Sequence, residues 1–165
     1  MTAAKFNGRF TRRTFTRRAL LIGATALLAS PARAEPSAAL MEAAGDAVRA
    51  FLKALRKKDL DGALAQVAAP FVAEDAQILA TKDDVRAYLS EMLADVAPSE
   101  MPNAVMSVLD YDESRKATTA ATLKLRDTVL NKGDLLVGIG RDGLSRGVLL
   151  VRASAEKPMI VGVGY

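Results

Sequence analysis

The chain has 165 residues, half of them hydrophobic, and it contains no Cys or His, which excludes disulfides, thiolate metal sites, and the commonest general base and metal ligand. The net charge of +4 is unevenly distributed, because residues 1–34 hold seven of the 23 basic residues and no acid, which leaves 16 basic against 19 acidic residues in the remainder. A net negative body is poorly suited to nucleic acid or an anionic membrane, so we expect neither as a partner.

The N-terminal segment has the pattern of a cleavable signal peptide. Residues 1–18 are polar and basic, and an apolar run of 12 residues follows from Ala19 to Ser30. Ala32 and Ala34 then place small residues at the −3 and −1 positions before Glu35, which predicts cleavage by signal peptidase between Ala34 and Glu35. A run of this length spans roughly 18 Å as a helix, against ~30 Å of hydrocarbon. We therefore expect no membrane anchor in the mature protein.

Two adjacent arginine pairs make the export route more specific. Arg12 and Arg13, with Phe15 two positions on, resemble the twin-arginine consensus, and Arg17 and Arg18 offer a second, overlapping register. We expect the twin-arginine translocase to deliver the mature chain to the periplasm, or outside the cell, of a bacterium. Export by the general secretory route is the alternative. No Cys follows the apolar run, so lipid anchoring is excluded.

Residues 35–165 predict one domain that begins with helices. Apolar residues recur at helical spacing from Leu40 to Leu55, after the predicted N-cap Ser37, and four basic residues lie largely off that stripe: Arg49, Lys53, Arg56 and Lys57. Asp59 is predicted to cap a second, shorter helix that carries Leu64 and Val67 and ends at Pro70.

A short strand and a third helix are predicted next. Residues 71–79 are apolar apart from a polar break, which favours a short strand. Thr81 and Asp84 then have the spacing of a capping box, with Asp in place of Glu. The helix that follows has a predicted buried face made of Val85, Tyr88, Leu89, Met92 and Leu93.

Strands are predicted to dominate the second half. A strand is expected at residues 104–110, whereas residues 112–132 favour a helix that stops at Gly133, with a Thr-rich strand as the alternative. Three β-rich runs with short turns follow, which predicts an antiparallel meander of residues 135–139, 147–153 and 159–163. The fold class is therefore α+β, with N-terminal helices packed on a curved antiparallel sheet.

This order of elements resembles the nuclear-transport-factor-2-like superfamily of cone-shaped, SnoaL-like or cystatin-like domains. The resemblance covers most of residues 45–165 and is carried by four segments: Lys58–Leu64 (KDLDGAL), Ala69–Phe71 (APF), Asp84–Leu89 (DVRAYL) and Ile160–Gly164 (IVGVG). It implies that helices and sheet enclose a pocket for a small apolar molecule. It also implies that an enzyme of this family would use an Asp, Tyr or His in that pocket, of which His is absent here.

The densest polar cluster is Asp110, Tyr111 and Asp112, at the end of a predicted strand. Its functional interpretation is a catalytic Asp110 assisted by a Tyr hydroxyl, and its structural interpretation, which we favour, is a strand exit and helix N-cap. Tyr88 is a second catalytic candidate if its hydroxyl reaches the pocket. Packing in the core is the ordinary role of such a ring.

Three residues are candidates for contact with a ligand. Arg152 lies in an otherwise apolar strand, so its charge must face water, form a pair or meet an anionic ligand. Arg126 lies with Asp127 in an amphipathic segment, and Tyr111 lies beside the carboxylates named above. An exposed position on the surface is the alternative for both arginines.

These observations leave three functions open. The first is an exported protein of the cell envelope that binds a small apolar or carboxylate-bearing ligand. The second is a lyase or isomerase that uses Asp110 or Tyr88 in the same pocket. The third is a homodimeric protein–protein interaction module. No cofactor is expected, and no metal, because the acidic pairs are too sparse for a calcium loop.

Overall fold

The computed structural model describes residues 36–73, 77–111, 127, 129–153 and 157–164. The predicted signal peptide, its cleavage site, Asp112, Arg126 and most of the predicted helix at 112–132 lie outside the described residues. In chain order, the described elements are α1 (Ala38–Arg56), α2 (Leu60–Leu64), β1 (Val67–Val72), β2 (Ile78–Leu79), α3 (Lys82–Asp95), β3 (Ala104–Asp110), β4 (Leu135–Arg141), β5 (Leu144–Arg152) and β6 (Met159–Gly164).

Helix α1 begins and ends with recognisable caps. The Ser37 hydroxyl accepts a hydrogen bond from the backbone N–H of Leu40, as the sequence predicts. At the other end, Lys58 has a positive φ of 55°, and the Lys58 and Asp59 N–H groups donate to carbonyls of the last turn. This is a Schellman arrangement, which satisfies the last carbonyls and turns the chain towards α2.

The chain turns from helix to strand earlier than the sequence predicts. Asp59 caps α2 as expected, because its Oδ1 accepts from the N–H of Gly62 at 2.9 Å. The prediction that Val67 belongs to this helix and that Pro70 ends it is wrong, since both residues lie in β1. Val67 and Phe71 are buried in the core, whereas Pro70 is exposed, where its missing N–H costs least.

Helix α3 has the predicted capping box. The Thr81 hydroxyl accepts from the N–H of Asp84, and the Asp84 carboxylate accepts from the N–H of Thr81 at 3.0 Å. The side chains of Val85, Leu89 and Leu93 are buried, and those of Tyr88 and Met92 are half-buried. This face places α3 against α2, β1 and β2.

Six described strands form one open sheet in the order β2-β1-β6-β5-β4-β3. The meander β4-β5-β6 is antiparallel as predicted, and so are the pairs β3-β4 and β1-β2. The pair β1-β6 is parallel, so the sheet is mixed. Register shifts in four of these pairs are of the kind that bends strands. The α+β class is thus confirmed, and helices on a curved open sheet fit the cone-shaped fold.

Each strand of the meander sends alternate side chains to opposite faces of the sheet. One face packs on the helices, and its core includes Phe51, Leu55, Leu89, Leu135, Val137, Leu149, Val151 and Ile160. The opposite face carries a second, smaller cluster made of Val72, Tyr111, Val129, Leu130, Leu136, Leu150 and Val161. The sheet is therefore buried on both faces along its central strands.

Candidate ligand cavity

A cavity of about 280 Å³ lies between α1, α3 and the helix-covered face of the sheet. Its size is just below the roughly 300–1,000 Å³ typical of small-molecule sites. Most of its lining is apolar, and the lining residues are Phe51, Leu52, Leu55, Tyr88, Leu89, Met92, Glu100, Pro102, Ile139, Arg146, Gly147, Val148, Leu149, Val163 and Gly164. The described structure thus contains a partly open apolar cavity of the kind that small-ligand proteins use.

Helical and strand periodicity bring these side chains together. Phe51, Leu52 and Leu55 lie on the buried face of α1, and the same i, i+1, i+4 spacing places Tyr88, Leu89 and Met92 on α3. The sheet contributes side chains that point to the helices, including Ile139, Leu149 and Val163. The cavity is therefore a gap in the main core.

The position of Gly147 helps to explain why the gap is not filled. Gly147 pairs with Ile139 and lies two residues before Leu149, so it belongs to the strand face that looks towards the helices. A larger residue there would send a side chain towards the cavity. Its φ of 154° is also rarely adopted by residues with a Cβ. Glycine at this position therefore permits the backbone conformation and also leaves the cavity unfilled.

Three polar residues lie in the lining. The Tyr88 ring packs against Phe71, with ring centroids 6.0 Å apart and an interplanar angle of 47°. Glu100 and Arg146 have exposed side chains, so their charges belong to the part of the lining that meets solvent. This combination provides an apolar lining that includes one tyrosine and, near solvent, one charged residue of each sign.

The structure places the site residues predicted from the sequence in different parts of the molecule. Tyr88 lines the cavity, whereas Asp110, Tyr111 and Arg152 are not among the lining residues. Asp110 is half-buried at the last position of β3, where it pairs with Leu135. Sequence reasoning missed Glu100 and Arg146 as lining residues. The signal that could have found Arg146 is its position directly before Gly147 in a β-rich run. A glycine there leaves space for a cavity on the face of the strand that looks towards the helices.

Tyr111 and Arg152 instead belong to a polar cluster on the opposite face of the sheet. The Tyr111 hydroxyl donates to Oδ1 of Asp127 at 2.7 Å, and the ring is only 1% exposed. Arg152 donates from Nη2 to the carbonyl of Val129 at 2.6 Å, while its buried Nε finds no acceptor among the described residues. Both side chains thereby join Asp127 and Val129 to the sheet.

Asp134 completes this polar cluster, and sequence reasoning missed it. The residue is 2% exposed, and burial raises the pKa of its carboxyl group. Backbone N–H groups of Asn131 and Ala153 and the charge of Arg152 oppose that shift. The signal in the sequence was an Asp between a glycine turn and an apolar strand, a position that favours a side chain bonded to nearby backbone.

No three acidic side chains within the described ranges come close enough together to hold a metal ion. None of the helices described here combines the length and the apolar character that a membrane span requires.

The chain has little detectable similarity to known proteins. No family model matches it, and no curated protein matches it. Among solved structures, it is similar to a protein of unknown function with a cystatin-like fold from Nostoc punctiforme, at 16% sequence identity and a TM-score of 0.48. That alignment covers 79% of this chain and 92% of the other. The α+β fold described above is accordingly defined by this chain's own strand order and helix packing.

Proposed function

We propose that this chain is an exported small-ligand-binding protein of the nuclear-transport-factor-2-like superfamily. Its ligand is a small apolar molecule that bears a carboxylate and lies in the cavity between α1, α3 and the sheet. The observation that carries this proposal is the apolar cavity of about 280 Å³ beside Gly147, with Arg146 in its lining.

The chemistry of the lining defines the ligand class. Burial of apolar ligand surface stabilises a complex by roughly 25 cal/mol per Å² before the costs of association, so the apolar wall supplies affinity. Arg146 offers a planar pair of donors that matches a carboxylate. Because the Arg146 side chain is exposed, we expect it to orient the ligand and to contribute modestly to affinity.

Binding is favoured over catalysis by the placement of the candidate residues. Of the two residues proposed for a lyase or isomerase, Tyr88 lines the cavity and Asp110 is not among the lining residues. A general base must come within hydrogen-bond reach of the proton that it removes. Asp110→Asn is therefore expected to leave ligand binding unchanged.

Displacement of a fluorescent apolar probe tests the binding proposal. Medium-chain fatty acids are the competitors, and the matching alcohols of equal chain length separate the apolar contribution from the carboxylate contribution. Val163→Phe, which enlarges a lining side chain, is expected to weaken both series. Val108→Phe is the matched control, because Val108 is also half-buried on the helix-covered face but does not line the cavity.

A second pair of variants tests the carboxylate. Arg146→Gln is expected to weaken the acids several-fold and to leave the alcohols unchanged, whereas Arg141→Gln, which removes a cation paired with Asp142, is expected to change neither. Failure of every acid and alcohol to displace the probe from the wild-type protein would count against the ligand class. Equal effects of the Val163 and Val108 variants would count against the cavity.

Export is proposed on the sequence pattern alone. The basic residues before the apolar run, the small residues before Glu35 and the paired arginines support delivery by the twin-arginine translocase. The mass of the protein recovered from the periplasmic fraction of a bacterial host is the test, and a chain that starts at Glu35 is expected. Replacement of Arg12, Arg13, Arg17 and Arg18 by Lys is expected to retain the precursor in the cytoplasm. Unchanged export would point to the general secretory route.

A homodimer is a second proposal, favoured by one observation. Strand β3 is at the end of the described strand order, and Met106 and Leu109 on this strand are 46% and 47% exposed. Pairing of two copies would cover such apolar surface. Gel filtration over a ~100-fold dilution range around micromolar tests it, since a dimer in this range dissociates on dilution. Met106→Lys is expected to favour the monomer, and a mass that stays monomeric at every concentration of wild-type protein would contradict the proposal.

A further inference from the structure

A groove next to the ligand cavity, with which it shares only Leu52 of its lining, runs along the exposed side of α1. It has a volume of about 660 Å³, and its other wall is the loop after α3. The lining residues are Arg49, Leu52, Lys53, Arg56, Lys57, Pro98, Ser99 and Asn103. Four of these eight residues are cations, and all four lie on exposed positions within or directly after α1. Their spacing of four, three and one residues places them along one side of the helix.

The positive charge of this groove is a local feature of the molecule. Residues 35–165 have more acidic than basic side chains, yet no acidic residue is among those that line the groove. Arg49 pairs with Asp46 at 2.7 Å. For Lys53, Arg56 and Lys57, no ion pair is formed with any residue in the described ranges. Three cations are thus available to a ligand.

Stabilisation of the helix explains only part of this pattern. Cations in the last turn of a helix interact favourably with its dipole, which accounts for the presence of Lys53 and Arg56 near the end of α1. The interaction with the dipole does not, however, require the loop after α3 to lie opposite these cations. Ser99 and Asn103 lie in the lining across from the cations, and their side chains carry a hydroxyl and an amide, which are neutral hydrogen-bond donors.

We propose that this groove binds a small soluble anion that carries two or more phosphate groups. Arginine binds a phosphate through two parallel N–H donors, and lysine adds a compact charge, so mixed Arg and Lys sets suit several phosphates at once. A phospholipid headgroup shares this chemistry. The concave shape of the groove and the net negative charge of the surrounding domain favour the soluble anion, because a flat anionic bilayer would repel much of the protein surface.

Titration with tripolyphosphate, followed by calorimetry and by backbone amide shifts of α1, tests this site. Lys53→Gln/Arg56→Gln is expected to weaken binding at least roughly tenfold, since it removes two charged hydrogen-bond donors. Lys82→Gln/Lys132→Gln is the matched control, because it removes the same charge from two exposed positions outside the groove. The control is expected to bind within about twofold of the wild type, and added salt is expected to weaken binding.

Three results would overturn the proposal. Equal loss in the groove variant and the control would mean that only net charge matters. Affinity that is insensitive to salt would exclude the charged contacts. Binding to vesicles of phosphatidylglycerol and phosphatidylcholine, with none to tripolyphosphate, would assign the groove to a membrane surface. The groove variant is expected to bind the fatty-acid series normally, so this proposal and the cavity proposal fail independently.

Discussion

The Oδ1 atom of Asp134 accepts a hydrogen bond of 2.8 Å from the backbone N–H of Ala153, which joins the residue before β4 to the residue after β5. Its Oδ2 atom accepts a second hydrogen bond, of 2.7 Å, from the N–H of Asn131. One buried carboxyl group thus closes a turn and fixes two strand ends. We expect Asp134→Asn to lower the free energy of unfolding by roughly 1–3 kcal/mol, because an amide nitrogen cannot accept the second N–H. Urea denaturation measures this, and the exposed Asp142→Asn is expected to change stability by less than about 0.5 kcal/mol.

The raised pKa of Asp134 predicts a pH dependence of defined sign. In the folded protein this group holds its proton at pH values where the unfolded chain, with a pKa of about 3.9, has released it. Its contribution to stability is therefore fully present below the unfolded-state value and is lost as the pH rises through the folded-state value. Unfolding measured from about pH 4 to pH 7 should show wild-type stability falling relative to Asp134→Asn. A difference between the two proteins that is constant over this range would contradict the prediction.

Thr81→Ala is expected to lower the free energy of unfolding by about 1 kcal/mol, because it removes the N-cap of α3. Thr81→Ser keeps the hydroxyl and is expected to retain most of the stability. The Thr81 side chain, followed by its backbone N–H, is also the main cause of the lowered pKa of Asp84. Loss of that hydroxyl should therefore move the pKa of Asp84 upwards, which carboxyl chemical shifts can follow.

The interaction between Thr81 and Asp84 also determines the pH range in which Thr81→Ala lowers the free energy of unfolding. A lowered pKa means that ionised Asp84 stabilises the folded state above its unfolded-state pKa, and that this contribution is lost as the pH falls through the folded-state value. The difference between wild type and variant is thus expected to shrink in strong acid. An undiminished difference there would mean that the hydroxyl acts without the carboxylate.

Lys58→Gly is expected to stabilise the protein by up to about 1 kcal/mol. Lys58 has a φ of 55° in the Schellman turn that ends α1, a conformation that is unfavourable for residues with a Cβ. Glycine removes that cost, although its greater freedom in the unfolded chain offsets part of the gain. Lys57→Gly is the control, because Lys57 has a right-handed φ of −89° and glycine there is expected to destabilise. Thermal denaturation of the two variants should show midpoints that shift in opposite directions.

Two glycine-to-alanine substitutions are also expected to have opposite effects. Gly45 lies inside α1, where a Cβ would come no closer than 3.4 Å to the flexible Arg49 side chain, so Gly45→Ala should stabilise by roughly 0.5–1 kcal/mol. A Cβ on Gly162 would lie 2.9 Å from the backbone oxygen of Val72 on the neighbouring strand. Gly162→Ala should therefore destabilise by roughly 1–3 kcal/mol. Equal effects in urea denaturation would show that the β1-β6 contact adjusts freely.

Local signals account for the parts of the fold that the sequence predicts correctly. The caps at Ser37, Asp59 and Thr81 depend on residues three positions apart, and β3 has the predicted bounds. The spacing of Val67 from Leu64 fits helical periodicity and predicts a helix, whereas the structure uses Val67 in a strand that pairs with β6 about 90 residues later. Pairing over that distance has no local pattern.

The candidate site was harder to predict than the elements that form it. The apolar lining was expected, but Glu100 comes from the loop after α3 and Arg146 and Gly147 come from β5, and these segments meet only in the folded chain. The same is true of Asp134 and Arg152, whose charges lie close together across the ends of two strands. The sequence shows that charged side chains next to apolar strands need hydrogen-bond or ionic partners. Only the tertiary fold identifies those partners.

The parallel pair of β1 with β6 has a consequence for synthesis. Strand β6 lies between β1 and β5, so the first two strands cannot join the meander until residues 159–164 have left the ribosome. Until then, Phe71 and Val72 lack the strand that covers one edge of β1, and completion of the sheet depends on contacts distant in sequence, which form slowly. If the chain is exported in the folded state, translation must finish first, and a truncated chain would reach the translocase with an incomplete sheet.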